Sequence, residues 1–544
     1  MDKHFDYDYI IVGSGFGGSV SALRLSEKGY KVLVLEKGKW LKAKDFPTTN
    51  WKLKKWLWLP LLKCFGLFKM TIFRHVTVLS GVGVGGGSLV YANTLPVPKK
   101  TFFEADSWRH LENWEEELKP HYKTALTMLG ATPSPRKEHG DEALQTLAKQ
   151  MGKEECFEAP NVAVFFGEPG KKVADPYFDG KGPERVGCTF CGGCMLGCRF
   201  NAKNTLDKNY LYLAQQNGAE IQAESEVIDV REYLADGLHG YSVDWKNSTR
   251  YFGESGTFHT KGIIFAGGVM GTIKLLLKLK ETSLPRISDR LGYGIRTNSE
   301  ALIPVTTTSK ENDYSEGIAI SSLLHTDDHS HLEAVRYSAG AGFWRLAMVP
   351  MVRGGNIITR IAKMAWQWLR HPVKNFRVAT VDDWAKRTQI LLFMQTLDST
   401  LKFTRGLFGM KSRVDIGEAP TAFIPEAQEL GEKYAEIIDG KPTVLLSETL
   451  MGIPTTAHIL GGACMGDSAS EGVINSKHSV FGYQNMYVCD GSSISANIGV
   501  NPSLTITALT ERAMSYVPEK ERPEKDRPEK ERPETNNPEN EKPE

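Results

Sequence analysis

Tyr7-Asp-Tyr-Ile-Ile-Val-Gly-Ser-Gly-Phe-Gly-Gly18 opens a stretch that closes on Tyr30-Lys-Val-Leu-Val-Leu-Glu36. Tyr9–Val12 is rich in β-branched and aromatic residues, the composition of a buried strand. Gly13, Gly15 and Gly18 follow at the spacing G-x-G-x-x-G. The first permits a tight turn, the second lets a pyrophosphate reach the backbone, and the third lets a helix pack close to the strand. A helix is predicted over 19–28, ended by Gly29, with its first N–H groups and positive dipole end toward the phosphate. Val32–Leu35 reads as a second buried strand, and Glu36 at its end is placed to accept hydrogen bonds from ribose hydroxyls. A glycine triplet alone is weak. Strand, triplet, helix, strand and acid in thirty residues predict a bound dinucleotide on an α/β, Rossmann-type domain.

The chain has 544 residues, too many for one core, so two or three domains are expected. A net charge of +1 and the lack of a basic RNA- or DNA-binding motif argue against a nucleic-acid partner. The first residues carry no apolar leader pattern, and no run of about 18 apolar residues occurs. The expectation is a cytoplasmic protein. Two stretches qualify it. Trp51–Lys69 mixes Trp, Phe and Leu with five lysines and no acid. In Phe343–Arg377, also without acids, Ile357, Ile361, Met364 and Trp368 share a helical face, with Arg360, Lys363, Gln367 and Arg370 elsewhere. Either suits packing on the protein's own core. Together they point to peripheral membrane contact at a lipid-admitting mouth. From Val517 a Pro-Glu-Lys repeat of period five holds ten acids, seven bases and almost nothing apolar, and is expected to be disordered.

Other glycine-rich turns follow. In Gly81-Val-Gly-Val-Gly-Gly-Gly-Ser-Leu-Val90, residues Gly83, Gly85, Gly86, Gly87 and Ser88 could lie against a flat or charged ligand. A strand over 220–230 carries Val227. Gly262–Thr272 repeats strand, glycine turn and helix, with Ala266 and Gly267 at the turn. Trp108–Leu129 and Asn204–Gln216 read as helices, and Gln389–Leu397 as a core strand. Near the end stand His458-Ile-Leu-Gly-Gly462, Asp490-Gly491 after a strand, and Gly499-Val-Asn501-Pro502 before a helix. His458 and Asn501 could supply a proton acceptor and a polarising amide, although a His before Gly-Gly is more often structural. Cys188, Cys191, Cys194 and Cys198 have the C-x2-C-x2-C-x3-C spacing of an iron–sulfur run, with Arg199 where such runs place Pro. A zinc knot or four reduced structural thiols are the alternatives.

These motifs, in this order, resemble the glucose–methanol–choline (GMC) family of flavoprotein oxidoreductases and its bacterial cholesterol oxidase-like branch. The resemblance covers the chain to about Ala513. It implies FAD, held through Gly13–Gly18, Glu36, the 83–90 loop, Ala266–Gly267 and Asp490–Gly491. It implies a discontinuous FAD-binding domain (1–100, 205–300, 455–516), an α+β substrate domain on an antiparallel sheet (101–204, 301–454, with the cysteines) and the tail 517–544. His458 and Asn501 then face the flavin, and the substrate is a bulky apolar alcohol, most simply a sterol, with dioxygen or a redox partner as acceptor. That branch also isomerises the steroid double bond with a glutamate of the substrate sheet. By position this falls near Phe393–Asp398, where Gln395 stands, with Asp398 or Glu300 as substitutes. A dehydrogenase with an iron–sulfur relay to a quinone or cytochrome, and a non-catalytic flavin- or lipid-binding module, are the competing readings.

Overall fold

The computed structural model describes residues 4–234, 239–397, 399–407 and 409–521. The tail beyond 521 and Asp398 lie outside them. Two seven-stranded sheets organise these residues. The first has the order Glu220–Gln222, Val32–Leu35, Tyr7–Val12, Ser255–Phe265, Tyr241–Asn247, Ser225–Glu232. Its left half is parallel and its right half antiparallel. The long strand Ser255–Phe265 serves both. Its first half pairs with Tyr241–Asn247, and its last three residues pair in parallel with Met486–Val488. The single strand expected over 220–230 is two. Glu224 takes a positive φ of 56°, so the chain leaves one sheet edge and re-enters at the other.

The helix Phe16–Glu27 starts three residues earlier than predicted, because Gly15, extended, is already its N-cap. It packs with Tyr210–Gln216 and Ser503–Ser515, and the fully buried core lies between them and the sheet. Glu511 accepts from Arg24 at 2.7 Å and from Tyr210 at 2.7 Å, which pins the three helices together.

The second sheet is antiparallel throughout, in the order Met348–Pro350, Gly440–Leu445, Ala301–Thr307, Thr388–Gln395, Ser330–Val335, Ile320–His325, Phe157–Glu158. Strand alternation divides its side chains. Leu332, Ala334, Leu391 and Phe393 pack under the helices His139–Gln150 and Pro425–Ile437. Ile320, Val335, Ile390 and Leu392 face the opposite way, into a cavity. The buried pair Arg336–Asp141 (2.8 Å), with Ser321 and Ser322 donating to the carboxylate, fixes the first helix to the sheet. Burial opposes a charged Asp141, but Arg336 and the hydroxyls hold its carboxyl below the ordinary range.

The strands of the first sheet lie within 7–35, 220–265 and 486–488 and those of the second within 157–158 and 301–445, and some intervening segments pack across. Phe102, Trp108, Trp114, Leu118 and Tyr122, assigned with the second domain, belong to the first core, as do Leu401 and Phe403. The reason is local: Trp114–Met128 lies along Ser503–Ser515, with Tyr122 and Thr505 hydroxyls 2.9 Å apart and Arg512 bonded to Glu117. The tail also begins later than expected. Val517 is buried, and Lys520 reaches Asp8 at 2.6 Å. Among the described residues no helix is long and apolar enough to cross a membrane.

Candidate active site

Between the two sheets lies a cavity of about 1770 Å³. A single drug-sized ligand needs about 300–1,000 Å³. This cavity has room for a dinucleotide and a second molecule.

The first sheet supplies its polar floor. Gly13 has φ +102°, and a Cβ there would stand 2.5 Å from the Ala266 carbonyl. A Cβ on Gly18 would meet the Gly13 carbonyl at 2.0 Å. Both glycines are required by the fold itself. Gly15 is different: an added Cβ would find its nearest protein atom at 3.9 Å, and at Gly268 and Gly271 none within 4 Å. These three glycines line the cavity and have open space before them. The helices Phe16–Glu27 and Gly268–Glu281 point their N-termini into that space, as a pyrophosphate requires. Glu36 lines the cavity wall at the end of its strand. Its carboxylate accepts from Ser14 N (3.1 Å), Ser14 Oγ (2.7 Å) and Gly38 N (2.7 Å), which hold it in place.

The second glycine loop divides. Gly86 and Gly87 line the cavity, and a Cβ on Gly86 would stand 2.7 Å from Gly15 Cα, so the two glycine turns touch. Gly83, Gly85 and Ser88 shape the loop from behind. Gly83 packs on Leu89, Gly85 donates its N–H to Ser14 Oγ, and Ser88 bonds Gly85 and Leu206. Val227, Ala266, Gly267, Asp490 and Gly491 all line the cavity. Asp490 accepts from Thr272 (2.5 Å) and Ser492, yet burial pushes its carboxyl up.

The structure brings His458 and Asn501 to the same cavity wall. His458 Nδ1 lies 2.8 Å from Glu300 Oε1. Glu300 is itself fixed by Thr456 Oγ1 (2.6 Å) and the Ala457 N–H (3.1 Å). A carboxylate only accepts, so the imidazole carries its proton on Nδ1 and leaves Nε2 as the open acceptor. Burial alone would lower the pKa of His458, but the charges of Glu300 and, further off, Glu333 raise it. Asn501 Nδ2 donates to Glu333 Oε2 at 3.3 Å, and its buried Oδ1 has no protein partner.

Glu333 is the residue the sequence reading missed. It stands on Ser330–Val335, fully buried, on the cavity face of the second sheet. Gln395, placed there from the sequence, shares the opposite face with Leu391 and Phe393, because the cavity face of its strand is 390, 392 and 394. Glu300, weighed as a substitute for the same role, instead holds His458. Above this polar cluster the wall is apolar: Leu302, Ile320, Val335, Tyr337, Trp344, Met348, Trp384 and Leu392.

Cys188, Cys194 and Cys198 sit in a small core with Val162, Val164 and Ile318, and Cys191 is half-buried outside it. Gly192 and Gly197 have positive φ (64° and 81°), whereas Gly193 does not. Among the described residues no three of the sulfurs lie within 4.8 Å of one another. Tetrahedral zinc, with bonds of about 2.3 Å, would bring them to about 3.8 Å, a spacing these thiols do not have. Burial pushes the Cys194 thiol up to about 11 and Cys188 higher still. Phe190 N donates to Cys188 Sγ (3.4 Å), and Ala202 N to Cys198 Sγ (3.3 Å). The buried Lys203 ammonium ties this segment to the second glycine loop, donating to the Leu89, Tyr91 and Cys194 carbonyls.

Comparison with known proteins adds the following. Residues 378–510 match the GMC oxidoreductase family model, and 11–41 match the NAD(P)-binding Rossmann-like domain. Over 530 residues the chain is 43% identical to a cholesterol oxidase of Acinetobacter baumannii, covering 95% of both chains. It is 42% identical to a cholesterol oxidase of Mycobacterium tuberculosis, covering 95% of this chain and 92% of the relative. A 2-methyl-1,2-propanediol dehydrogenase of Mycolicibacterium austroafricanum is 21% identical over 94% and 95%. Among solved structures, the pyridoxine 4-oxidase from Mesorbium loti aligns with a TM-score of 0.58 at 14% identity, over 94% of this chain and 99% of the other, a likeness of fold alone.

Proposed function

Since the chain belongs to the GMC oxidoreductase family, with the bacterial cholesterol oxidases as relatives at 42–43% identity, we propose that it is an FAD-dependent enzyme that oxidises the CH–OH group of a sterol. The observation that carries this is the single cavity in which a ligand-shaped glycine floor, His458 and Asn501, and an apolar wall meet. The floor fits FAD: the space at Gly15, Gly268 and Gly271 lies before two helix N-termini, with Glu36 at the ribose position. Bound there, FAD supplies the acceptor for a hydride from the alcohol carbon. The chain does the rest. Leu302, Val335, Trp344 and Leu392 exclude water and hold the apolar body. His458 Nε2 takes the hydroxyl proton, with Glu300 fixing its tautomer and favouring the cation that forms. Asn501 presents Oδ1 toward the reacting atoms and is held from behind by Glu333.

Gln395, which stands where the sequence would put the isomerising glutamate, cannot shuttle a proton; Glu333, on the cavity face, is the carboxylate that shifts the steroid double bond. The variant E333Q should still oxidise but release unconjugated ketone. The cavity lining includes Leu59, Pro60, Leu407 and Met410, and also Met348 and Leu445, whose strand Met348–Pro350 and following helix Leu446–Met451 pack against the helix Ile357–Arg370. That helix is turned against the usual rule. Arg360 is its buried residue, bonded to the Leu450 carbonyl, while Ile358, Trp366 and Leu369 are 64–75% exposed. With Leu61 and Leu62 exposed among Lys52, Lys54, Lys55 and Lys63, this collar suits an anionic lipid surface from which a sterol enters. Trp56, by contrast, is core, stacked on Phe68 at 4.9 Å.

Dioxygen is the acceptor of this reading. A second one, an iron–sulfur relay to a redox partner, rests on the cysteine spacing and the N–H···S bonds. Iron and acid-labile sulfide in anaerobically purified protein would support it, and their absence from active protein leaves four structural thiols. The principal test is incubation of the purified protein with cholesterol in detergent micelles under air. Ketone and hydrogen peroxide in equal amounts are expected. No ketone from cholesterol or a related sterol would overturn the reading.

A further inference from the structure

Four buried polar atoms without a hydrogen bond belong to residues that neighbour one another from Asn501 across the second sheet: Asn501 Oδ1, Glu333 Oε1, His331 Nε2 and His325 Nδ1. Buried polar atoms are nearly always paired, so a row of orphans calls for a cause. The second sheet explains the alignment. His331 and Glu333 are two apart on Ser330–Val335 and therefore share the cavity face. His325 is directly opposite His331 on the neighbouring strand, and Glu158 on the edge strand pairs with Leu323, which is opposite Glu333.

The row runs from the active site to solvent. Asn501 Nδ2 is 3.3 Å from Glu333 Oε2. Glu333 Oε1 is 3.5 Å from His331 Nε2, near but too poorly aligned for a hydrogen bond. The His331 and His325 rings are 6.2 Å apart between centroids, edge to face. His325 Nε2 is 3.4 Å from Glu158 Oε1, and the Glu158 side chain is 55% exposed, near Lys99. On the other side, Met394 and Leu392 are the strand partners of His331 and Glu333 and offer no competing polar group. Gaps of this size between unpaired donors and acceptors are what ordered water bridges.

We propose that Glu333, His331, His325 and Glu158 form a proton path between the active site and solvent along the cavity face of the second sheet. The inference rests on the oxidation proposed above. When the alcohol is oxidised its O–H bond breaks and the proton passes to His458 Nε2, while the carbon's hydride leaves with its electron pair to bound FAD. His458 and Asn501 share the cavity and Asn501 Nδ2 bonds Glu333, so Glu333 is the carboxylate that receives that proton by water. Imidazole can take a proton on one nitrogen and release one from the other, so His331 and His325 pass it on to Glu158 and bulk water. No further oxidant enters this half of the reaction, and one proton appears in solution for each alcohol oxidised. His331 and His325 are positioning and relay residues, not catalytic ones.

The test is an anaerobic single turnover of the FAD-loaded enzyme with micellar cholesterol in weak buffer, following flavin absorbance and a pH-indicator dye together. In the wild type the dye should follow flavin reduction, one proton per flavin. In H331F and in H325Q flavin reduction should persist while the dye lags at least about tenfold, and added imidazole should restore the H325Q signal, because that ring is partly exposed. H325Q keeps the test open if H331F fails to fold. A crystal structure of the wild-type holoenzyme should show ordered water between Asn501 Oδ1, Glu333 and His331. Proton release that keeps pace with flavin reduction in the variants, or a dry row, would overturn the path. No flavin reduction in the wild type would instead remove the proposed oxidation itself.

Discussion

His458 gains its chemistry from a neighbour 158 positions away in the sequence. Because Nδ1 is engaged by Glu300, only Nε2 faces the reaction, and because the carboxylate is charged, the ring protonates more readily than a free histidine. The sign follows. A proton acceptor works when neutral, and the neutral ring is lost as pH falls through a value above the ordinary 6.5 or so. The acid limb of kcat/KM should therefore lie above that value in the wild type. In E300Q burial is opposed only by the smaller effect of Glu333, and the limb should move to lower pH. A limb that stays put would show that His458 is not the titrating acceptor. H458Q, still holding FAD, should lose about 10²–10⁴-fold in the rate of flavin reduction. Little of this was legible in the chain. His458 and Asn501 stand in glycine turns whose order is distinctive. Glu333 stands in Ser-His-Leu-Glu-Ala-Val, an alternation that looks like an ordinary solvated strand face. Only the sheet's position over the cavity turns that polar face inward.

The glycine-rich turns carried most of what the sequence could reveal, because strand, turn and helix are set by neighbours along the chain. Their geometry now separates two kinds of glycine. Gly13 is needed by the protein: in G13A the methyl would meet the Ala266 carbonyl in a left-handed conformation, and a loss of more than about 2 kcal/mol of stability is expected even without cofactor. Gly15 is needed by the ligand. G15A meets nothing within 3.9 Å and should unfold like the wild type as apoprotein, yet bind FAD at least about tenfold more weakly. Thermal unfolding of the two apoproteins, with FAD titration of the second, decides this. Equal FAD affinity in G15A would mean that the pyrophosphate lies elsewhere. Helix starts were less legible. The prediction put the first helix at Ser19, after the whole glycine motif, whereas it begins at Phe16, because glycine itself caps it.

At the scale of the molecule, two sheets enclose one cavity, and the proposed lipid contact falls to two apolar, basic surface segments, 51–69 and 357–370. The amphipathic pattern of 357–370 was readable, but not which side faces out. Packing decided that: Arg360, expected to point away from the core, is the side chain drawn in, by the Leu450 carbonyl and the ring of Phe423 at 4.6 Å. The triple variant I358S/W366S/L369S should sediment less with anionic vesicles, by about tenfold or more, and high salt should weaken wild-type binding. Turnover of detergent-solubilised sterol should be unchanged. Equal sedimentation of variant and wild type would leave the helix without a lipid role.

The central claim is that this cavity holds FAD and a sterol in reacting positions. It is tested most directly by anaerobic titration of the FAD-loaded protein with micellar cholesterol, reading flavin absorbance and extracted product together. One equivalent of sterol should bleach one equivalent of flavin and yield one of ketone, and the rate should collapse in H458Q. Flavin that stays oxidised in excess sterol, or that bleaches equally fast in H458Q, would contradict the account.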